Sequence, residues 1–469
     1  MPTQADALEL QPAATSTLPS PEGQPCSSRN KMQHAFIVVA ATVIVICGPG
    51  LLFAYGVFQE LFESLSYDES SPFSGASTAQ IDLIGTLSVS FMFMAGPFAT
   101  AWCKRYRPRY VIWLGAAIFL LASMLASVSA HLWQFQLTQG LLLGVGICIT
   151  YMPAVSIPPT WFDRRRGLAM GIVLAGTGIG GVFWAPVLRA LISKAGFRNT
   201  LRISGAICST FMAMAGLVLE WPPSRKAALA VENASLSRTA SIFTISLVDW
   251  KVATSRKFVA HALGAMLQSA AYYTPVFFFA SYTRTLGYSQ ATSASFIALS
   301  TAINAIGKVL IGYAADRIGR LNALFLTTMV SSVTAPALWL PSCLSSTQSE
   351  GRCFFIAFIV FYGIFASAYA ALFPTSLVEV FGVQHFASVN GVLYMARGVA
   401  TLVGTPLAGA LIHRSKHVDG KASVGVTSRG YENASILVGC LLVAATLAVL
   451  WVRIEATLGT NVHRGKWRL

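Results

Sequence analysis

Two basic residues stand where a charge is expensive to keep. Lys308 falls in an apolar run over about residues 291–313, and Arg397 lies well inside another over about 387–411. A charge in hydrocarbon costs several kcal/mol unless it meets water or a partner. Asn304 precedes Lys308 by one helical turn, so the two share a face and could bind one ligand. The chemistry implied is capture of an organic anion: an ammonium supplies a point charge, and a guanidinium grips a carboxylate through two parallel hydrogen bonds. Plainer readings compete. The Lys308 stem could run along its helix and deliver the amine to the membrane surface, and Arg397 could tie two helices together. No Asp or Glu lies deep in any apolar run, so a cavity around these cations would favour anionic or neutral polar solutes and would lack the usual proton carrier. Gln268, Tyr272, Tyr273 and Tyr151 are candidates for its walls, because organic solutes need apolar surfaces with a few polar tips. Packing or lipid contact is the alternative for the aromatic residues.

Nothing in the chain reads as a catalytic constellation. The histidines are scattered, and there is no His-Glu-x-x-His zinc pair, phosphate-binding loop or nucleophile elbow. The sequence predicts neither an enzyme nor an ATP-driven pump, and it calls for no metal site or cofactor.

The elements that must position these residues follow from composition. Of 469 residues, 55% are hydrophobic and 11% charged, with a mean hydropathy of +0.62, whereas a soluble domain carries roughly a quarter charged residues. So few charges cannot cover a water-facing surface, but helices of about 20 apolar residues satisfy their own backbone in a bilayer. Runs of spanning length fall at about 34–58, 80–102, 110–130, 133–155, 168–190, 200–219, 257–280, 291–313, 322–341, 353–374, 387–411 and 434–453. The expected fold is therefore an all-α integral membrane protein with twelve transmembrane helices in two six-helix bundles, 34–219 and 256–453. Residues 1–33, 220–255 and 454–469 read as a disordered tail, a linker and a second tail, all cytoplasmic.

The net charge of +15 raises the question of a nucleic-acid partner, but the basic residues lie in short clusters between apolar runs. With both termini inside, about two in three of them fall on the cytoplasmic side, the bias that membrane topology requires. Arg414, Lys416, Lys421 and Arg429 go against it. The expected partners are a lipid bilayer and a small organic solute, with a proton as candidate coupling ion and no nucleic acid. The plasma membrane is the expected location and the vacuolar membrane the alternative. The oligomeric state is not specified. Cys343 and Cys353 bracket a predicted external loop and could pair in an oxidising compartment.

Two loops carry matching signals. Gly96 opens a stretch ending in Lys104, Arg105, Arg107 and Arg109, and Gly312 opens one containing Asp316, Arg317, Gly319 and Arg320. Fixed charges and helix-end contacts on one face can lock two bundles together, and release of the lock permits rocking. A basic loop is also what topology alone would give, and this reading stays open for the first copy. In the second, the Asp316–Arg317 pair favours a gate.

The second loop resembles the Gly-x-x-x-Asp-Arg-x-Gly-Arg motif of the major facilitator superfamily in full; the first lacks the Asp and the second Gly. A longer stretch, Gly144-Val145-Gly146, Tyr151-Met152-Pro153, and Trp161-Phe162-Asp163-Arg164-Arg165-Arg166-Gly167 through Gly171, Gly176, Gly180, Gly181 and Pro186, looks like the monocarboxylate transporter family, especially its fungal branch. Asn304–Lys308 and Gly404–Gly409 extend the similarity over both halves. The resemblance implies a secondary transporter working by alternating access. Proton-coupled animal members carry a first-span lysine and an Asp and Arg one turn apart in the eighth span; here the first span has no lysine, and the eighth has Asn304 and Lys308 at that spacing. Two transport functions follow as expectations: movement of a monocarboxylate or related organic anion, or export of a fungal secondary metabolite. A nutrient sensor on a transporter fold is the alternative of another class.

Overall fold

The computed structural model describes residues 28–235, 250–418 and 428–458. Most of the 1–33 and 454–469 tails, the middle of the 220–255 segment, and Lys421 lie outside them. Among the described residues every regular element is helical. The helices that matter below are α1 (Ser28–Cys47), α2 (Pro49–Phe53), α3 (Gly56–Leu65), α4 (Thr78–Met94), α5 (Gly96–Arg105), α6 (Pro108–Val128), α7 (Leu143–Ser156), α8 (Arg166–Val218), α9 (Pro223–Ser235), α10 (Arg256–Thr285), α11 (Gln290–Ile318), α12 (Arg320–Thr334), α13 (Gln348–Val418) and α14 (Glu432–Leu458).

Nine helical stretches among the described residues are long and apolar enough to cross a membrane. Two of them are too long for one crossing. At about 1.5 Å per residue, α8 and α13 would reach on the order of 80 and 105 Å if straight, against about 30 Å of hydrocarbon. Each breaks once: α8 at Gly196 (φ 77°) and α13 at Gly382 (φ 72°). A left-handed backbone is what glycine supplies most cheaply.

Local chemistry sets several other ends. Ser77 caps α4 in a full capping box with Gln80, while Ser255 and Ser289 each accept from the backbone three residues on to start α10 and α11. The first long hydrophobic run is not one rod. It is divided into α1, α2 and α3, with Pro49 at the first position of α2, and its helix continues to Leu65, beyond the predicted end at 58.

The predicted linker is in part a packed helix. Trp221, Arg225 and Leu229 are buried along one stripe at four-residue spacing, Trp221 Nε1 donates to the Cys103 carbonyl oxygen at 3.1 Å, and Arg225 donates to that of Gln384 at 2.9 Å. Pro222, Pro223, Arg225 and Lys226 make this stretch look like a solvated linker in the sequence. Cys343 and Cys353 are both free, the first buried and the second exposed, so the disulfide considered for them is not formed.

Candidate functional site

Helices α8 and α11 meet without side chains between them. A Cβ on Gly167 would lie 2.5 Å from the Gly312 carbonyl oxygen, and one on Gly171 would lie 2.5 Å from that of Lys308. This contact brings Lys308 and Asp316, two turns apart on α11, onto the same neighbouring helix.

At one end, Asp316 completes α8. The cap position of α8, Arg165, offers no side-chain cap, leaving backbone N–H groups of the first turn to be satisfied elsewhere. Gly167 N and Leu168 N donate to Asp316 Oδ1 and Oδ2, both at 2.8 Å. A carboxylate at a helix N-terminus gains from charge-assisted bonds and from the helix dipole. Arg320 then joins the pieces: Nε donates to Asp316 Oδ1 at 3.1 Å, Nη1 to Glu379 Oε1 at 2.8 Å and Nη2 to the Asp163 carbonyl oxygen at 2.7 Å.

The sequence reading paired Asp316 with Arg317, and the structure corrects it. Adjacent helical residues point about 100° apart, whereas residues four apart share a face. Arg320 therefore makes the ion pair, while Arg317 stacks on Tyr313 of its own helix and donates to its hydroxyl. Gly319, with φ 95°, forms the turn between α11 and α12. In the first loop Arg105 is exposed, and Lys104 donates to Ser388 Oγ on α13 at 2.6 Å.

Midway along α11, Lys308 is 2% exposed. Its Nζ donates to Thr177 Oγ1 at 2.6 Å and to the Leu174 carbonyl oxygen at 3.2 Å, both on α8, so it does not run to the membrane surface. Arg397, 3% exposed, donates from Nε to Ser269 Oγ at 2.8 Å. Around it stand Phe93, Phe373, Tyr394 and Tyr369, with ring centroids 4.9–5.9 Å from its Cζ, a cation–π cage that stabilises the charge where water is excluded.

Both cations line one small cavity together with Tyr151, Gln268, Tyr272 and Tyr273, and no carboxylate is among its described lining residues. Asn304 stands behind that wall, donating from Nδ2 to the Tyr272 hydroxyl at 2.6 Å. All seven candidate residues are thus gathered in one region. Thr177, Ser269 and Phe93 were not anticipated. Hydroxyls and phenylalanines are common on apolar helices, and only tertiary contact distinguishes these three.

The cavity shares Pro49, Phe53, Met92 and Tyr273 with a larger vestibule. Glu60 and Glu63 of α3, Arg189 of α8 and Arg284 at the end of α10 line this vestibule, with Ser293 of α11. From Ser293 at the vestibule to Asp316, α11 rises on the order of 35 Å. The vestibule and the Asp316 contacts thus lie toward opposite ends of α11.

The Major Facilitator Superfamily model matches residues 35–349. The chain belongs to this superfamily. It is a multi-pass membrane transporter with the facilitator fold. A curated MFS-type transporter of Gibberella moniliformis is 27% identical over 86% of this facilitator and 88% of its own length. The Agnestins efflux protein of Paecilomyces divaricatus is 25% identical over 94% and 92%. Among solved structures, the proton:xylose symporter XylE, bound to 6-bromo-6-deoxy-D-glucose, superposes with a TM-score of 0.67 over 89% of this facilitator and 95% of that chain. At 14% identity this likeness speaks to fold alone.

Proposed function

We propose that this facilitator exports a small, largely apolar organic anion of the kind fungi make as secondary metabolites. The observation that carries the reading is the cavity itself: Lys308 and Arg397 among aromatic walls with no carboxylate lining. An anion entering it gains charge-assisted hydrogen bonds, and a carbon skeleton gains the rings. The efflux role of the Agnestins relative favours the outward direction.

Alternating access is the mechanism that suits this arrangement. Splitting α8 and α13 at their glycines and adding α10 brings the nine spanning stretches to twelve crossings, in bundles 34–219 and 256–453 joined by 220–255. The basic residues near Asp316 favour a cytoplasmic position for the locked end and both termini, so the described state faces outward, in the plasma membrane.

Transport of a smaller monocarboxylate is the second reading, favoured by the two cations alone. Uptake and efflux in transport-deficient yeast, with lactate and benzoate at acidic and neutral external pH, separate the two. Faster loss of preloaded benzoate than from empty-vector cells, without a change in lactate uptake, is the expected result. Lactate uptake that rises on acidification while benzoate loss is unchanged would overturn the export reading.

A further inference from the structure

The deep cavity offers more than positive charge. Gln268, 2% exposed, lines it, and its Nε2 donates to the Ala366 carbonyl oxygen at 3.2 Å. Because a carbonyl oxygen only accepts, that bond decides which way round the amide stands. Gln268 Oε1 is then left buried with no hydrogen-bond partner among the described residues, and so is Asn304 Oδ1, whose Nδ2 is held by Tyr272. Arg397 Nη1 is a third such atom in the same region.

The cavity therefore presents a donor for an anion, Arg397 Nη1, beside an amide oxygen, Gln268 Oε1, that can only accept. A simple carboxylate satisfies the donor and leaves Gln268 Oε1 without a partner, in a place where a buried unpaired acceptor is costly. We infer that the transported solute is an organic acid bearing, besides its anionic group, a hydroxyl or N–H donor, and that Gln268 Oε1 accepts from that donor. The inference rests on the organic-anion reading of the cavity and narrows its substrate class. A site built to hydrogen-bond a hydroxyl discriminates strongly against the analogue without it. O-methylation is the sharper comparison, because it keeps the oxygen and removes the donor.

The test is calorimetric titration of the purified full chain with benzoate, 3- and 4-hydroxybenzoate, and the corresponding 3- and 4-methoxybenzoates. One hydroxy isomer is expected to bind at least tenfold more tightly than its methoxy partner. In Gln268→Met that ratio is expected to fall to about twofold or less. The ratio is read within one preparation, so partial loss of folded protein cancels. Equal binding of hydroxy and methoxy partners to the native chain, or a preference that survives in Gln268→Met, overturns the inference while leaving the anion reading in place. Absence of binding by all five acids, with the chain folded by circular dichroism, overturns both.

Discussion

Lys308 holds its charge on a threonine hydroxyl and a backbone carbonyl rather than on a carboxylate, and Arg397 holds its own on a serine and a ring of aromatics. Neither arrangement neutralises the cation, so an incoming anion has something to gain at both. Lys308→Gln keeps a hydrogen-bonding side chain and removes the charge; it is expected to weaken 4-hydroxybenzoate binding at least tenfold, about 1.4 kcal/mol, by titration. Arg397→Lys retains the charge but not the planar fork that both stacks on rings and binds two oxygens. It is expected to lose affinity nearly as far as Arg397→Gln; recovery to native affinity in Arg397→Lys would show that charge alone suffices. These two residues were legible in the sequence because a basic residue inside an apolar run is rare and costly. Their polar partners were not, since a threonine or serine in such a run is ordinary and acquires its role only when another helix is placed beside it.

At the scale of elements, the decisive joint is the first turn of α8, capped from α11 by Asp316. Asp316→Asn retains the shape but can accept with only one oxygen and no charge, and the loss of charge-assisted bonds of this kind costs about 1–3 kcal/mol. The expected consequence is a population shift away from the locked state, read as faster modification of a cysteine placed at Ser388 by a membrane-impermeant maleimide. Unchanged reactivity would mean that Asp316 does not hold the lock. The loop motif made Asp316 visible in the sequence, but adjacency of Asp316 and Arg317 suggested the wrong partner, because helical neighbours in sequence do not face one another. The glycines at 167 and 312 were also visible, but not that they touch. The break in α13 gives a separate prediction: Gly382→Ala, at φ 72° with no atom within 4 Å of an added Cβ, strains the backbone without a clash. A loss of about 1 kcal/mol is expected, seen as a lower melting temperature with binding ratios intact. No change in melting temperature would show that the break tolerates a side chain.

For the molecule as a whole, composition and periodicity carried the membrane class and the helical fold, since a chain so poor in charge has few ways to be stable. The two divisions inside the longest helices were legible too, because the apolar runs end at 190 and 374 and resume at 200 and 387, on either side of Gly196 and Gly382. The helix at Pro223–Ser235 was hidden because one member of its buried stripe, Arg225, is itself charged and follows two prolines. The vestibule with its Glu60, Glu63 and Arg284 needed the folded molecule, as the two acids lie on α3 and the Arg at the end of α10. Taken together, the vestibule, the cationic cavity and the contacts of Asp316 fit the proposed alternating-access cycle, whose other state would open past Asp316. The most direct measurement is counterflow: proteoliposomes holding the full chain, preloaded with unlabelled 4-hydroxybenzoate and diluted into radiolabelled 4-hydroxybenzoate, with Arg397→Gln in parallel. Counterflow needs no coupling ion and is indifferent to the direction of net transport. Transient accumulation of label in native vesicles and its loss in Arg397→Gln is the predicted result; label uptake equal in native, Arg397→Gln and protein-free vesicles would contradict an organic-anion transporter working through this cavity.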